Sequence, residues 1–220
     1  ENFATISEYD STIYRQNLFL GILSKRMNES NLKTINYIKK YVDEYPNDKR
    51  GFLFLANLYL EFENYISAMH YYHRLLLIDE NHFDANFNIG EILVKLKDYK
   101  NAILMLNKAY DLDNNHFESK NLLGFCHYNL GEYKKSIYEL TQALLLNSKN
   151  SETYYYLGKS YKSIDKNKQA LEALNMSIKL DPFNGLALAP NYDFLFDKGY
   201  ISFNKNGGLM ISEMLSDSDR

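Results

Sequence analysis

Apolar residues recur along most of the chain at three- and four-residue spacing, in short runs separated by polar turns. In the stretch 117–150, one run ends at Gly131-Glu132 and a second follows it. The first run contains Leu122, Leu123, Cys126 and Leu130, and the second contains Ile137, Leu140, Leu144 and Leu145. This spacing, interrupted by a glycine, predicts two helices joined by a tight turn.

The helical pairs repeat every 34 residues. Three series keep this interval in one register: Ala56, Gly90, Gly124 and Gly158; Ala68, Ala102, Ser136 and Ala170; Tyr65, Tyr99 and Tyr133. Independent series in one register are typical of a repeat protein. The sequence therefore predicts five units, which are 15–48, 49–82, 83–116, 117–150 and 151–184.

Small residues mark positions 8 and 20 of the units, counted from the first residue of each. We expect paired helices to cross most closely there, because a larger side chain would hold the backbones apart. No unit can bury its apolar face alone, so neighbours must stack. The first unit departs from the pattern, with Ile22 and Thr34 at these positions, and is interpreted as a degenerate N-terminal cap. Residues 1–14 are polar and are expected to be flexible.

The first helix of each unit carries a recognisable motif. Phe52-x-x-Leu55-Ala56-x-x-Tyr59 and Tyr154-x-x-Leu157-Gly158-x-x-Tyr161 resemble the tetratricopeptide repeat (TPR). The resemblance covers 15–184 and is clearest in 49–184. It implies an all-α, right-handed superhelical solenoid of about five helix-turn-helix repeats. It also implies a non-enzymatic scaffold or adaptor that holds a peptide or partner protein on a concave face lined by the first helices.

The TPR resemblance also implies which side chains face that groove. They are mainly aromatic, with asparagines that could hydrogen-bond a peptide backbone. The candidates are Phe54, Asn57, Phe87, Asn88, Asn121, Phe125, Tyr128, Tyr155 and Lys159, and Tyr156 falls on the same face. An alternative interpretation is that several of these aromatic rings pack between repeats.

One TPR subset grips the C-terminal carboxylate of heat-shock chaperones with a basic clamp. Asn57 and Asn88 fall at the two asparagine positions of that clamp. Its cationic positions hold Leu53, Glu118 and Leu122 instead. A peptide carboxylate would lose its charge-assisted hydrogen bonds, so we reject the chaperone clamp.

A different pattern follows the repeats, in residues 185–220. Pro190 opens a helical turn that Gly199 ends. Tyr200 to Phe203 and Leu209 to Ser212 look like strands around an Asn- and Gly-rich turn. The sequence therefore predicts a small C-terminal α/β-like appendage.

The appendage resembles the C-terminal half of an HNH endonuclease over about 181–214. The motifs that carry the resemblance are Asn184-Gly185-Leu186 and Leu195-Phe196-Asp197-x-Gly199. The resemblance implies one divalent metal, with Asp193 and Asp197 as candidate ligands. Carboxylate ligands favour magnesium over zinc.

The HNH resemblance lacks its general base. The family places a histidine on the strand before the central asparagine, and Gln169 to Leu180 contain none. Without this base, a bound water is not deprotonated for attack on phosphate. We therefore expect a cap on the solenoid, or an incomplete nuclease module that the repeats would target, and no self-sufficient nuclease.

Composition and charge narrow the partners further. The 220 residues carry 25 basic and 28 acidic side chains, so their net charge of −3 argues against a nucleic acid or a membrane surface as partner. The single cysteine, Cys126, provides neither a disulfide nor a thiol set for zinc. With no long apolar run and no apolar leader before the repeats, a cytoplasmic location is expected. Self-association through an exposed solenoid end is the alternative to peptide capture, and no cofactor is expected apart from the metal in the appendage.

Overall fold

The computed structural model describes residues 16–27, 30–181, 201–203 and 209–211. Within these ranges the chain forms ten helices and two short strands. The helices are α1 (16–26), α2 (Asn31–Glu44), α3 (Lys49–Glu61), α4 (Tyr65–Ile78), α5 (Phe83–Lys95), α6 (Tyr99–Leu112), α7 (Phe117–Asn129), α8 (Tyr133–Leu146), α9 (Ser151–Lys162) and α10 (Asn167–Leu180). The strands are β1 (Ile201–Phe203) and β2 (Leu209–Ile211).

Equivalent helices begin at a constant interval. First helices begin at residues 49, 83, 117 and 151, and second helices at 31, 65, 99, 133 and 167. Both series advance by the 34 residues that separate the small residues in the sequence. The helical repeat predicted from the pattern is therefore present.

The chain divides into two compact parts, residues 1–113 and 114–220. These two parts are called the first and the second unit from here on, and the 34-residue segments are called repeats. In the first, each helix from α2 to α6 packs against the next. In the second, α7, α8, α9 and α10 pack in the same consecutive manner, and α7 also contacts α9. Each unit thus builds its own core from neighbouring helices, as stacking of repeats requires.

The glycines of the repeat lie at close helix crossings. A Cβ atom added to Gly90 would lie 2.8 Å from Leu106 Cγ, and one added to Gly124 would lie 2.4 Å from Leu140 Cγ. Both distances are too short for carbon atoms in contact. The predicted reason for small residues at position 8 is therefore confirmed at these pairs.

The first helical pair corrects the predicted register. Gly21, and not Ile22, takes the role of the small residue, because its added Cβ would lie 2.2 Å from Ile38 Cδ1. The connection between α1 and α2 contains four residues, 27–30, whereas α3 and α4 are separated by three, 62–64. The extra residue shifts α1 by one position relative to the 34-residue register. A register without gaps therefore predicts Ile22 where Gly21 lies.

The appendage is described only in part. β1 and β2 pair antiparallel, with Ile201 opposite Ile211 and Phe203 opposite Leu209. The helical turn predicted after Pro190 lies outside the described residues, as do Asp193, Asp197 and the segment 1–14. The α/β-like appendage as a whole therefore stays a prediction. Of the helices in the described ranges, none has the length and apolar character needed to cross a membrane.

Candidate functional site

Two predicted groove asparagines meet at a buried tyrosine in the first unit. Tyr72 on α4 is fully buried, and its hydroxyl donates a hydrogen bond to Asn57 Oδ1 on α3 at 2.5 Å. The side chain of Asn88 on α5 also acts on this hydroxyl and lowers its pKa. Since the only phenol proton goes to Asn57, the hydroxyl can only accept from the Asn88 amide.

The buried hydroxyl stays protonated. Burial raises the pKa of Tyr72, and the nearby negative charge of Asp84 adds to the rise, while the hydrogen bond from Asn88 opposes it. A protonated phenol is a constant donor toward Asn57. The carbonyl oxygen of Asn57 is therefore directed inward, and its amide nitrogen is the group that this exposed residue offers to solvent.

The two phenylalanines predicted for the groove are half-buried in the first unit. Phe54 lies with its ring centroid 5.9 Å from the Lys25 ammonium. Phe87 stacks on Phe83 one helical turn earlier, with ring centroids 6.0 Å apart and planes within 2°. Phe87 thus packs partly against its own helix, and Phe54 lies beside a side chain of α1.

Four aromatic rings and a lysine form a cluster in the second unit. Tyr156 on α9 is the central ring: its centroid lies 4.8 Å from that of Phe125, 5.5 Å from Tyr128 and 5.1 Å from Tyr155. Tilted and edge-to-face pairs at these distances are favourable for aromatic rings. Phe125, Tyr128, Tyr155, Tyr156 and Lys159 are called the aromatic cluster below.

Lys159 binds two phenols of the cluster. Its ammonium lies 5.2 Å from the ring centroid of Tyr128 and 5.1 Å from that of Tyr155. Burial lowers the pKa of Lys159, but hydrogen bonds to both tyrosines outweigh this, so its pKa lies above the ordinary value. Burial, with a smaller contribution from the negative charge of Glu152, raises the pKa of Tyr156 to about 12. At neutral pH the cluster therefore holds a charged ammonium beside the neutral phenol of Tyr156.

Asn121 joins α7 to α9. Its Oδ1 accepts a hydrogen bond from Thr153 Oγ1 at 2.8 Å, and Thr153 is fully buried. Asn150 caps the start of α9 by accepting from the Thr153 backbone N–H at 2.8 Å. Among the predicted groove residues, Asn121 thus has a clear role in helix packing.

The structure brings together four predicted residues, Phe125, Tyr128, Tyr155 and Lys159, around Tyr156. It also links Asn57 to Asn88 through Tyr72, which sequence reasoning did not assign to the site. A signal for Tyr72 exists in the sequence: position 24 is apolar in the other repeats, with Ile38, Leu106, Leu140 and Leu174. A single hydroxyl in that series indicates a specific polar partner, because buried polar groups are hydrogen-bonded.

Two other polar contacts in the second unit connect helices or cap them. Lys120 on α7 pairs with Glu139 on α8 at 2.6 Å, with side chains only 10% and 14% exposed. His127 hydrogen-bonds to Glu132 at 2.6 Å. No three His, Cys, Asp or Glu side chains are placed to hold a metal ion in the ranges that the structure describes.

Family models match two parts of the chain. The family described as "Anaphase-promoting complex, cyclosome, subunit 3" matches residues 95–177. The family described as "HNH endonuclease" matches residues 159–204. No curated protein is similar enough to the chain to count as a match.

Solved structures match most of the chain. "Crystal structure of YrrB: a TPR protein with an unusual peptide-binding site" aligns with a TM-score of 0.73 and 22% identity, covering 86% of this chain and 96% of that one. "MamA RS-1 ArsTM double mutant" gives a TM-score of 0.72 and 19% identity, covering 78% and 96%. "MamA 41-end from Desulfovibrio magneticus RS-1" gives 0.70 and 21%, covering 77% and 95%. With the 34-residue helical register, these similarities establish a TPR-like helical repeat fold for this chain.

Proposed function

We propose that this chain is a non-enzymatic scaffold that binds an extended peptide segment of a partner protein. The observation that carries the proposal is the hydrogen bond from Tyr72 to Asn57 in the first unit, with Asn88 acting on the same hydroxyl. The bond gives Asn57 a fixed orientation. Preorganised groups bind with a smaller loss of conformational freedom than mobile ones.

The two asparagines offer complementary groups. Asn57 offers its amide N–H donors, because its oxygen accepts from Tyr72. Toward the Tyr72 hydroxyl Asn88 can only donate an N–H, so its oxygen is the natural acceptor for a ligand. A donor and an acceptor together match the C=O and N–H of a peptide backbone, which every sequence provides.

The similar structures support this proposal through their fold. YrrB, one of these similar structures, is described as a TPR protein with an unusual peptide-binding site. The aromatic cluster adds exposed ring surface in the second unit, and aromatic residues are enriched at binding hot spots.

The test is selection of capped 12-residue peptides from a random library by the full chain, followed by affinity measurements. We expect Tyr72→Phe to weaken the selected peptides several-fold, because the ring remains but the amides lose their orientation. Asn57→Leu should weaken them about tenfold or more. Asn107→Ala, at an exposed position on α6, is the matched control and should leave affinity unchanged. Failure to select peptides, or peptides insensitive to Asn57, Asn88 and Phe125, would contradict the proposal.

A second candidate is a targeting arm with an incomplete HNH module, favoured by the family match over residues 159–204. The described part of that match argues against catalysis. Residues 167–180 precede Asn184 and form α10, with Ala170 and Ala173 buried, where a ββα element would place a strand that carries the histidine. We therefore propose that the appendage has no nuclease activity of its own, and that any divalent metal would be held by Asp193 and Asp197.

Plasmid nicking with magnesium or manganese tests this second candidate. The wild-type chain is expected to leave supercoiled plasmid intact. Metal-dependent nicking that disappears in Asp193→Ala would overturn the non-enzymatic assignment and make the repeats the targeting arm of a nuclease.

A further inference from the structure

Lys159 is a half-buried cation of the second unit. Its ammonium lies between Tyr128 and Tyr155, and no carboxylate of the described ranges forms an ion pair with it. Lys120, another interior lysine of this unit, is paired with Glu139 at 2.6 Å. The two tyrosines offset the cost of burying this ammonium of Lys159, and the positive charge itself remains for a ligand to meet. The positive charge of Lys159 therefore favours a negatively charged ligand at this site over a positively charged one.

The hydrogen bonds within the cluster make it a set of donors. An ammonium has three N–H donors and no acceptor, and Lys159 directs two of them to the hydroxyls of Tyr128 and Tyr155. Because the oxygen of Tyr128 accepts from Lys159, its own O–H proton is directed to a different acceptor. A group that only accepts hydrogen bonds and carries negative charge complements such a site, and an ionised carboxylate is such a group.

The rings next to Lys159 determine which chemical group would fit beside an anion bound there. Phe125 and Tyr156 are half-buried and meet edge to face, with centroids 4.8 Å apart. Their remaining surface is apolar. A ligand that places a carboxylate at Lys159 would therefore gain from an aromatic or aliphatic residue next to it.

We propose that the aromatic cluster receives the side-chain carboxylate of a glutamate or aspartate in a peptide segment that binds the second unit, next to an apolar residue. A side chain is the better source than a chain terminus, because a slender stem can reach a half-buried ammonium while the backbone stays outside. This inference rests on the proposed peptide-binding function and names the side-chain chemistry that the function selects.

The test uses the capped 12-residue library with the full chain and with Lys159→Met. The wild-type chain is expected to enrich Glu or Asp beside Phe, Tyr or Leu, and Lys159→Met should lose the acidic preference. For a selected peptide, Glu→Gln should weaken binding to the wild-type chain about tenfold, as expected for a charge-assisted hydrogen bond. The same change should have little effect on Lys159→Met.

Matched controls separate charge from folding. Lys168→Met removes an exposed lysine of α10 in the same unit and should keep the acidic preference. Lys159→Arg keeps the charge and should retain most of it. The comparison of Glu and Gln peptides on the wild-type chain needs no variant, so it decides the question even if Lys159→Met unfolds.

Three results would overturn the inference. Peptides that depend on Asn57 but show no acidic preference would leave the proposed function intact and reject the acidic ligand. Strong binding only by peptides with a free C-terminal carboxylate would assign the site to a chain end. Failure to select any peptide would reject the inference together with the proposed function.

Discussion

At the scale of single residues, the helix pairs depend on the absence of a side chain at their crossings. A Cβ atom on Gly124 would lie 2.4 Å from Leu140 Cγ and 3.2 Å from the Leu140 backbone nitrogen. The leucine can rotate only by disturbing its own packing, because it is fully buried. Gly131 differs, since a Cβ atom there would meet nothing within 4 Å.

Gly124→Ala is therefore expected to destabilise the protein by about 1–3 kcal/mol through overpacking. Urea unfolding followed by circular dichroism measures the change. Asn129→Ala, at an exposed position of α7, is a control for substitution in the same helix and should change stability little. A Gly124→Ala protein as stable as wild type would show that the crossing is looser than the structure describes.

Asp48 shows how one carboxylate can make stability depend on pH. It caps α3 by accepting from the Arg50 backbone N–H at 3.0 Å, and it also accepts from the Arg50 guanidinium and from Tyr41 Oη. The hydrogen bonds from Arg50 hold the pKa of Asp48 far below its usual range, although partial burial opposes them.

A carboxylate with a lowered pKa stabilises the fold above its unfolded-state pKa, about 3.9, and this contribution is lost as pH falls below that value. Asp48→Asn should therefore be less stable than wild type at pH 7, by at most about 1 kcal/mol because Arg50 is exposed to solvent. The difference should shrink at pH 3. Urea unfolding at both values measures it, with Asp111→Asn on α6 as control, and a difference that stays constant with pH would contradict this account.

At the scale of elements, the turns between paired helices repeat one backbone conformation. Glu63, Lys97, Gly131 and Asp165 occupy the same repeat position and have φ of 55°, 62°, 75° and 58°. Side chains with a Cβ atom are disfavoured in this left-handed region, and glycine is not. Gly131 interrupts the apolar pattern and predicts its turn, whereas Lys97 gives no such signal in the sequence.

Lys97→Gly is expected to stabilise the protein by about 0.5–1 kcal/mol, because the strain of the left-handed residue is removed. The midpoint of urea unfolding measures the gain. Lys108→Gly is the matched control, since this exposed lysine lies within α6 and its replacement should cost about 1 kcal/mol. Equal losses in both variants would contradict the assigned turn conformation.

At the scale of the whole molecule, the repeat was predictable because its signals are local and periodic. Gly90, Gly124 and Gly158 fix the register of helix pairs, and the structure begins its helices accordingly. The one-residue shift that brings Gly21 to the helix crossing was not predictable in this way. One added residue in the connection between α1 and α2 leaves no periodic signal in the sequence. A repeat alignment without gaps therefore assigned Ile22 in its place.

The sequence predicts the helix face on which each residue of the candidate site lies, but not which other residues its side chain contacts. Repeat position placed Tyr128, Tyr155 and Lys159 on one side of their helices, and the structure brings them together around Tyr156. The series that joins Asn57 to Asn88 depends on a hydroxyl that three helices converge on. Sequence periodicity reports which face a residue occupies, and it does not report which partner a polar atom will meet.

The central claim is that the oriented asparagines bind a peptide backbone. The most direct measurement is a titration of the ¹⁵N-labelled full chain with a selected capped peptide, followed through the side-chain amide signals in NMR spectra. The account predicts large shifts for the amides of Asn57 and Asn88, and small shifts for Asn107 on α6. Binding that shifts Asn107 and leaves Asn57 and Asn88 unchanged would contradict it.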